Sequence, residues 1–257
     1  MNNQLLLTVV SAIFISGIAG YLGTLMLSRK MSVASGPLSH LALPGVSLAI
    51  IFGFSMFLGA FPFVLIGAIL IWILEKNTKL PMENLAAIIF AFGMGLGLLL
   101  LPIGEAEEAL VGNIDQITFL ETLAVLILSV IVLFLTRLSY RKIIMLNINE
   151  DLALTENVNI NLHNLLYLFC IAIAISLSVY LVGGFITVAL FAIPAAVAKN
   201  MSRNLFEYKL LAIISGVFSA VTGIFIACFL GLPIGPIIII VNVVLFLISV
   251  FFKKFRL

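Results

Sequence analysis

Apolar stretches too long and too free of charge for a water-soluble core alternate along this chain with short polar or basic segments. Gln4 to Ser28 is the first such run, closed by Arg29 and Lys30. A helix needs about 20 apolar residues to cross a bilayer, so this run predicts one span. Met31 to Leu74 carries no formal charge, which is too long for one helix and suits two, with a break expected near Gly59-Ala60-Phe61-Pro62. Asn84 to Gly104 predicts a fourth span, with Gly93 and Gly97 at the i, i+4 spacing that lets helices approach closely. Thr118 to Thr136 predicts a fifth, with Glu121 intruding at one end. Two more double runs follow, Asn157 to Ala198 broken at Gly183-Gly184, and Leu210 to Phe252 broken at Gly231-Leu232-Pro233-Ile234-Gly235-Pro236. The pattern predicts an all-α integral membrane protein of about nine transmembrane helices, forming one membrane domain over residues 1–257.

Composition agrees with the pattern. Of 257 residues, 63% are hydrophobic and 9% charged, whereas roughly a quarter of a typical soluble domain is charged. Where the charges lie matters more than their sum. With the N-terminus outside, nine spans gather Arg29, Lys30, Lys76, Lys79, Arg137, Arg141, Lys142, Lys199, Arg203, Lys209, Lys253, Lys254 and Arg256 on the inner face, which accounts for all 13 Lys and Arg residues. Basic residues favour the cytoplasmic side, so this orientation, with the C-terminus cytoplasmic, is the expected one. The outer face then holds an acidic cap of Glu105, Glu107, Glu108 and Asp115, with Glu121 beside it. Met1-Asn2-Asn3-Gln4 has no positive region ahead of its apolar run, so retention of the first span is expected. Cys170 and Cys228 lie in apolar runs and read as small core residues without a disulfide.

Several chemistries are missing from the pattern. No Gly-Lys dipeptide occurs, hence no phosphate-cradling loop of the G-x-x-x-x-G-K-[ST] type, and any ATP would be bound by another subunit. No H-E-x-x-H pair, no ladder of intramembrane acids and no basic, aromatic-interleaved surface for nucleic acid is present. Transport without intrinsic catalysis remains.

One ionisable residue lies inside an apolar run, His40 in Gly36-Pro37-Leu38-Ser39-His40-Leu41-Ala42-Leu43-Pro44-Gly45. Two readings fit it: a neutral imidazole bonded to a helix carbonyl or water, or a functional group in a transport path. Pro37 and Pro44 lack an N–H, and with Gly36 and Gly45 they mark a helix break whose carbonyls need protein, water or a passing cation. Broken helices are where transporters place substrate sites. His163, at the mouth of a later span, carries no such context and is given no function.

Arg29-Lys30-Met31-Ser32 followed by Leu38 to Val46 resembles the signature of the membrane permease subunits of the zinc, manganese and iron ABC importers. The resemblance continues in order through Leu110-Val111-Gly112-Asn113-Ile114, Leu181-Val182-Gly183-Gly184 with Ile193-Pro194-Ala195-Ala196, and Leu232-Pro233-Ile234-Gly235-Pro236, covering roughly Gly20 to Val250. It implies a type II ABC importer-like permease in the cell membrane of a prokaryote. It also implies a transported divalent metal ion, no permanently bound cofactor, ATP on a separate ATPase subunit, a second copy of the chain, and an extracytoplasmic metal-binding protein as partner. The family pairs an acid with a histidine four residues later. Here His40 matches the histidine, while Gly36 stands where the acid is expected. A cytoplasmic coupling segment at about 143–160 is implied too, with Glu150, Asp151, Leu152 and Ala153 at its centre against the ATPase. In the same setting the acidic cap would concentrate cations or receive a basic patch of the binding protein. The missing acid also suits a degenerate, regulatory membrane subunit, and an ion-driven secondary carrier is the other alternative.

Overall fold

A computed structural model describes residues 2–28, 38–78, 80, 82–100, 117–148, 156, 160–183 and 187–254. Within them the regular elements are helices: α1 Asn2–Ser28, α2 Ala42–Phe52, α3 Met56–Thr78, α4 Met82–Leu100, α5 Phe119–Ile148, α6 Ile160–Val182, α7 Thr187–Met201, α8 Leu205–Leu230 and α9 Ile234–Lys254. Six are long and apolar enough to cross a membrane, namely α1, α3, α5, α6, α8 and α9, and shorter apolar helices lie at Leu38–Phe52, Ala87–Leu100 and Thr187–Met201.

The boundaries follow from local chemistry. Gly53 closes α2 at φ 69° and Gly231 closes α8 at φ 65°, left-handed positions where a glycine avoids the Cβ penalty. At the start of α8, Asn204 accepts from the Glu207 N–H at 2.8 Å, while Glu207 accepts from the Arg203 N–H at 2.8 Å. The expected breaks at Gly183 and at Gly231 to Pro236 coincide with the ends of α6 and α8. The break expected near Gly59 to Pro62 is corrected. It falls at Gly53 to Ser55, and Pro62 lies inside α3, where residues around a membrane helix re-satisfy the carbonyl freed by the ring. The fifth run is longer than expected as well: α5 continues past Thr136 to Ile148, taking the first residues of the 143–160 stretch into a helix, and α6 takes its last.

At the centre stands α6, in contact with α1, α3, α5, α7 and α9. Every residue from Cys170 to Gly183 is buried, as expected for a helix apolar all round. Its two buried serines return their hydroxyls to their own helix, Ser176 to the Ala172 carbonyl and Ser178 to the Ala174 carbonyl, both at 2.8 Å, so they enter the core without orphan donors. Around it α1 packs on α5, α7 and α8, α9 packs on α7 and α8, and α2 packs on α3 and α4. Leu99 on α4, Phe134 on α5 and Phe251 on α9 are exposed, an apolar exterior suited to lipid.

Candidate translocation site

His40 closes a helical turn, Leu38 to His40, which a turn at Leu41 separates from α2. Leu41 keeps helical dihedrals, φ −65° and ψ −17°, and Leu38–Phe52 runs on as one apolar helix, so the ladder lapses at Leu41 without the chain leaving the helix. Pro44 sits in the first turn of α2, where its missing N–H would have had no helical acceptor anyway. Gly36 and Pro37 lie outside the described residues.

Glycines from two neighbouring helices receive this segment. On α3, a side chain at Gly59 would strike the Gly45 carbonyl, and one at Gly67 would strike the Leu41 side chain. Across on α4, a Cβ at Gly93 would lie 3.1 Å from the Leu41 Cα, and one at Gly97 would lie 2.8 Å from the Leu43 Cβ. Ser47 adds a hydroxyl that donates to the Leu43 carbonyl at 2.8 Å. His40 is 7% exposed and presents its ring edge-on to Phe90 of α4, with centroids 4.8 Å apart at 85°.

The depth of the imidazole follows from helix geometry. Gly67 comes eleven residues after Met56 at one end of α3, and Gly93 eleven after Met82 at the opposite end of the pair. Eleven residues rise about 16 Å, roughly half the hydrocarbon thickness of about 30 Å. Counted along α3 the segment bearing His40 reaches mid-depth, while counted from Ala87, where the apolar part of α4 begins, it lies six residues in, so on both counts it sits within the apolar layer. A neutral imidazole is a good ligand for divalent transition metals. Among the described residues no group of three or more His, Cys, Asp or Glu side chains stands ready to hold a metal.

Two further clusters fix the ends of α5. At its start, the Glu121 carboxylate accepts from the Thr118 N–H at 2.9 Å, the Thr118 hydroxyl at 2.8 Å and the Tyr180 hydroxyl of α6 at 3.1 Å. The acid that intrudes on the fifth run is thus a helix cap tied to the central helix. Tyr180→Phe is expected to lower stability by about 1 kcal/mol, read as a drop in melting temperature of the detergent-purified protein. An unchanged melting temperature would remove this contact from the list of stabilising ones.

Toward the other end, the Tyr140 ring lies 5.5 Å from that of Tyr21, its hydroxyl 3.4 Å from that of Thr24, and Lys209 Nζ sits 4.2 Å above it. This joins α1, α5 and α8 at the end where Arg137, Arg141 and Lys209 collect. The acidic cap of Glu105, Glu107, Glu108 and Asp115 lies outside the described residues, as do Glu150, Asp151, Leu152 and Ala153; Glu156 is an exposed turn. Sequence reasoning missed the roles of Gly59 and Gly67, whose signal was their spacing of two helical turns on one face.

Residues 1 to 253 match the ABC 3 transport family. The chain belongs to that family. Like other ABC 3 members it is a membrane permease subunit, of the zinc, manganese and iron importer type that the motifs around His40 suggested. It is 28% identical to a manganese import system permease protein of Streptococcus parasanguinis, over 94% of this chain and 88% of the relative. It is 27% identical to a high-affinity zinc uptake system membrane protein of Buchnera aphidicola, over 93% of this chain and 94% of the relative. The solved structure of PsaBC from Streptococcus pneumoniae in complex with Fab superposes with a TM-score of 0.83 at 25% identity, covering 94% of this chain and 89% of that one. An inward-facing metal-chelate type ABC transporter shares the fold, with a TM-score of 0.77 at 18% identity.

Proposed function

We propose that this ABC 3 permease carries a divalent transition metal ion, zinc, manganese or iron, inward across a prokaryotic cell membrane. In this reading two copies form the pore, a separate ATPase subunit binds and hydrolyses the ATP, and an extracytoplasmic protein delivers the ion. The chain itself catalyses no reaction. The observation that carries the proposal is the imidazole of His40, buried among apolar helices against Phe90, because an ionisable group within a membrane bundle marks a transport path.

The rest of the molecule takes its part from this. Nine spans in one domain over residues 1–257 put the N-terminus outside and the C-terminus inside. The stretch at about 143–160, with Glu150 to Ala153, docks on the ATPase, and α5 leads into it from the Glu121 cap. Glu105, Glu107, Glu108 and Asp115 face the delivery protein. His40 supplies one ligand per copy, so two copies or a backbone carbonyl complete the coordination that Gly36 does not provide.

Proteoliposomes holding the permease and its ATPase, supplied with the metal-loaded delivery protein, test the reading. Manganese or zinc is expected to accumulate when ATP is present and to stop accumulating when the ATPase is inactivated. ATP hydrolysis without uptake of manganese, zinc or iron would point to a regulatory subunit, and uptake by the permease alone to a secondary carrier.

A further inference from the structure

A cavity of about 380 Å³ opens where the ends of α1, α7 and α8 meet, lined by Leu27, Lys199, Ser202, Arg203, Leu205 and Tyr208 among others. We propose that it binds the phosphate headgroup of an anionic phospholipid. Two cationic side chains and three hydroxyls, those of Ser28, Ser202 and Tyr208, point to a phosphate, because ammonium, guanidinium and hydroxyl groups all donate to its oxygens. Among the described residues no acidic side chain is part of the lining. The nearby carboxylate of Glu207 is already engaged, one oxygen by the Arg203 backbone N–H at 2.8 Å and the other by the Asn204 side chain at 3.0 Å.

The apolar part of the lining separates a lipid from a soluble anion. Leu27 and Leu205 form part of the wall. Leu205, the first residue of α8, is 56% exposed, so the wall itself offers apolar surface to an acyl chain. Basic pockets between membrane helices bind anionic headgroups in this way. Assigning the lipid to the inner leaflet rests on the orientation proposed above; the binding itself does not.

The test uses the full chain with its ATPase subunit, taken from vesicles of equimolar phosphatidylglycerol and phosphatidylethanolamine and weighed by native mass spectrometry. Wild-type protein is expected to retain phosphatidylglycerol in preference to phosphatidylethanolamine. K199Q/R203Q is expected to retain it roughly fivefold less for each charge removed. K199R/R203K, which keeps both charges, should retain it as wild type does, so a loss in the glutamine variant is not a failure to fold. Equal retention by wild type and K199Q/R203Q would overturn the proposal. So would displacement of the lipid by millimolar inorganic phosphate, which would identify a soluble anion as the ligand. Cross-linking of Arg203→Cys to the ATPase, with no phosphatidylglycerol held by the assembled complex, would overturn it in favour of a protein contact. Labelling of Arg203→Cys by an impermeant thiol reagent outside intact cells would overturn the inner-leaflet assignment and the orientation together, while lipid retention still reports on the pocket.

Discussion

Gly59→Ala is expected to destabilise the permease by roughly 1–3 kcal/mol, although alanine is the better helix former by about 1 kcal/mol. The two effects oppose each other, and the contact decides which wins. A methyl at Gly59 would be driven into the Gly45 carbonyl and would lie 3.0 Å from the Ala49 Cβ; one at Gly45 would be driven into the Gly59 carbonyl in return. Both obstacles are backbone, so α2 and α3 must separate to admit the methyl. Gly95→Ala supplies the contrast, because nothing lies within 4 Å of its added Cβ; it is expected to leave the melting temperature unchanged or raise it. The double variant Gly45→Ala/Gly59→Ala should cost less than the sum of the single changes, since the first has already parted the crossing. Melting temperatures of the wild type, the three single variants and the double variant in one detergent check this, and equal behaviour of Gly59→Ala and Gly95→Ala would refute the close crossing.

The second large effect is on transport. His40→Ala is expected to lower the initial rate of metal uptake tenfold or more, since loss of even an outer-shell partner of a metal ligand costs about 10–100-fold. Its effect on stability is smaller: the edge-on contact with Phe90 is worth about 0.5–1.5 kcal/mol. A variant that keeps most of its thermal stability yet loses uptake is the expected outcome. Uptake at the wild-type rate in proteoliposomes would take His40 out of the path.

The sequence made the helices legible through charge. Runs without Asp, Glu, Lys or Arg mark where hydrocarbon tolerates the chain, and breaks at Gly183 and at Gly231 to Pro236 coincide with helix ends because glycine supplies a positive φ at both sites. The same residue types misled at Gly59 and Pro62. A glycine in an apolar run marks either a turn or a close approach, and only the partner helix distinguishes them. At Gly53 the answer is a turn; at Gly59 it is a backbone contact with α2. Pro62 shows the same ambiguity, since a ring inside a membrane helix does not end it when neighbouring groups take up the freed carbonyl. At the candidate site, the sequence singled out His40 through its charge-bearing chemistry. It did not reveal that Phe90, Gly67 and Gly93 surround that segment, because those contacts join residues far apart in the chain. Glu121 was legible as an acid out of place, but its bond to Tyr180 depends on where α6 ends.

The enclosure of α6 has a consequence for how this protein tolerates change. A helix with one lipid-facing side accepts almost any apolar residue there, because hydrocarbon chains rearrange around a new shape at little cost. From Cys170 to Gly183 no such side exists. Ala172, Ala174, Ser176 and Ser178 each meet neighbouring helices that cannot flow aside, so volume rather than polarity limits substitution there. Along this stretch, mutational tolerance loses the helical rhythm that a lipid-facing helix would keep.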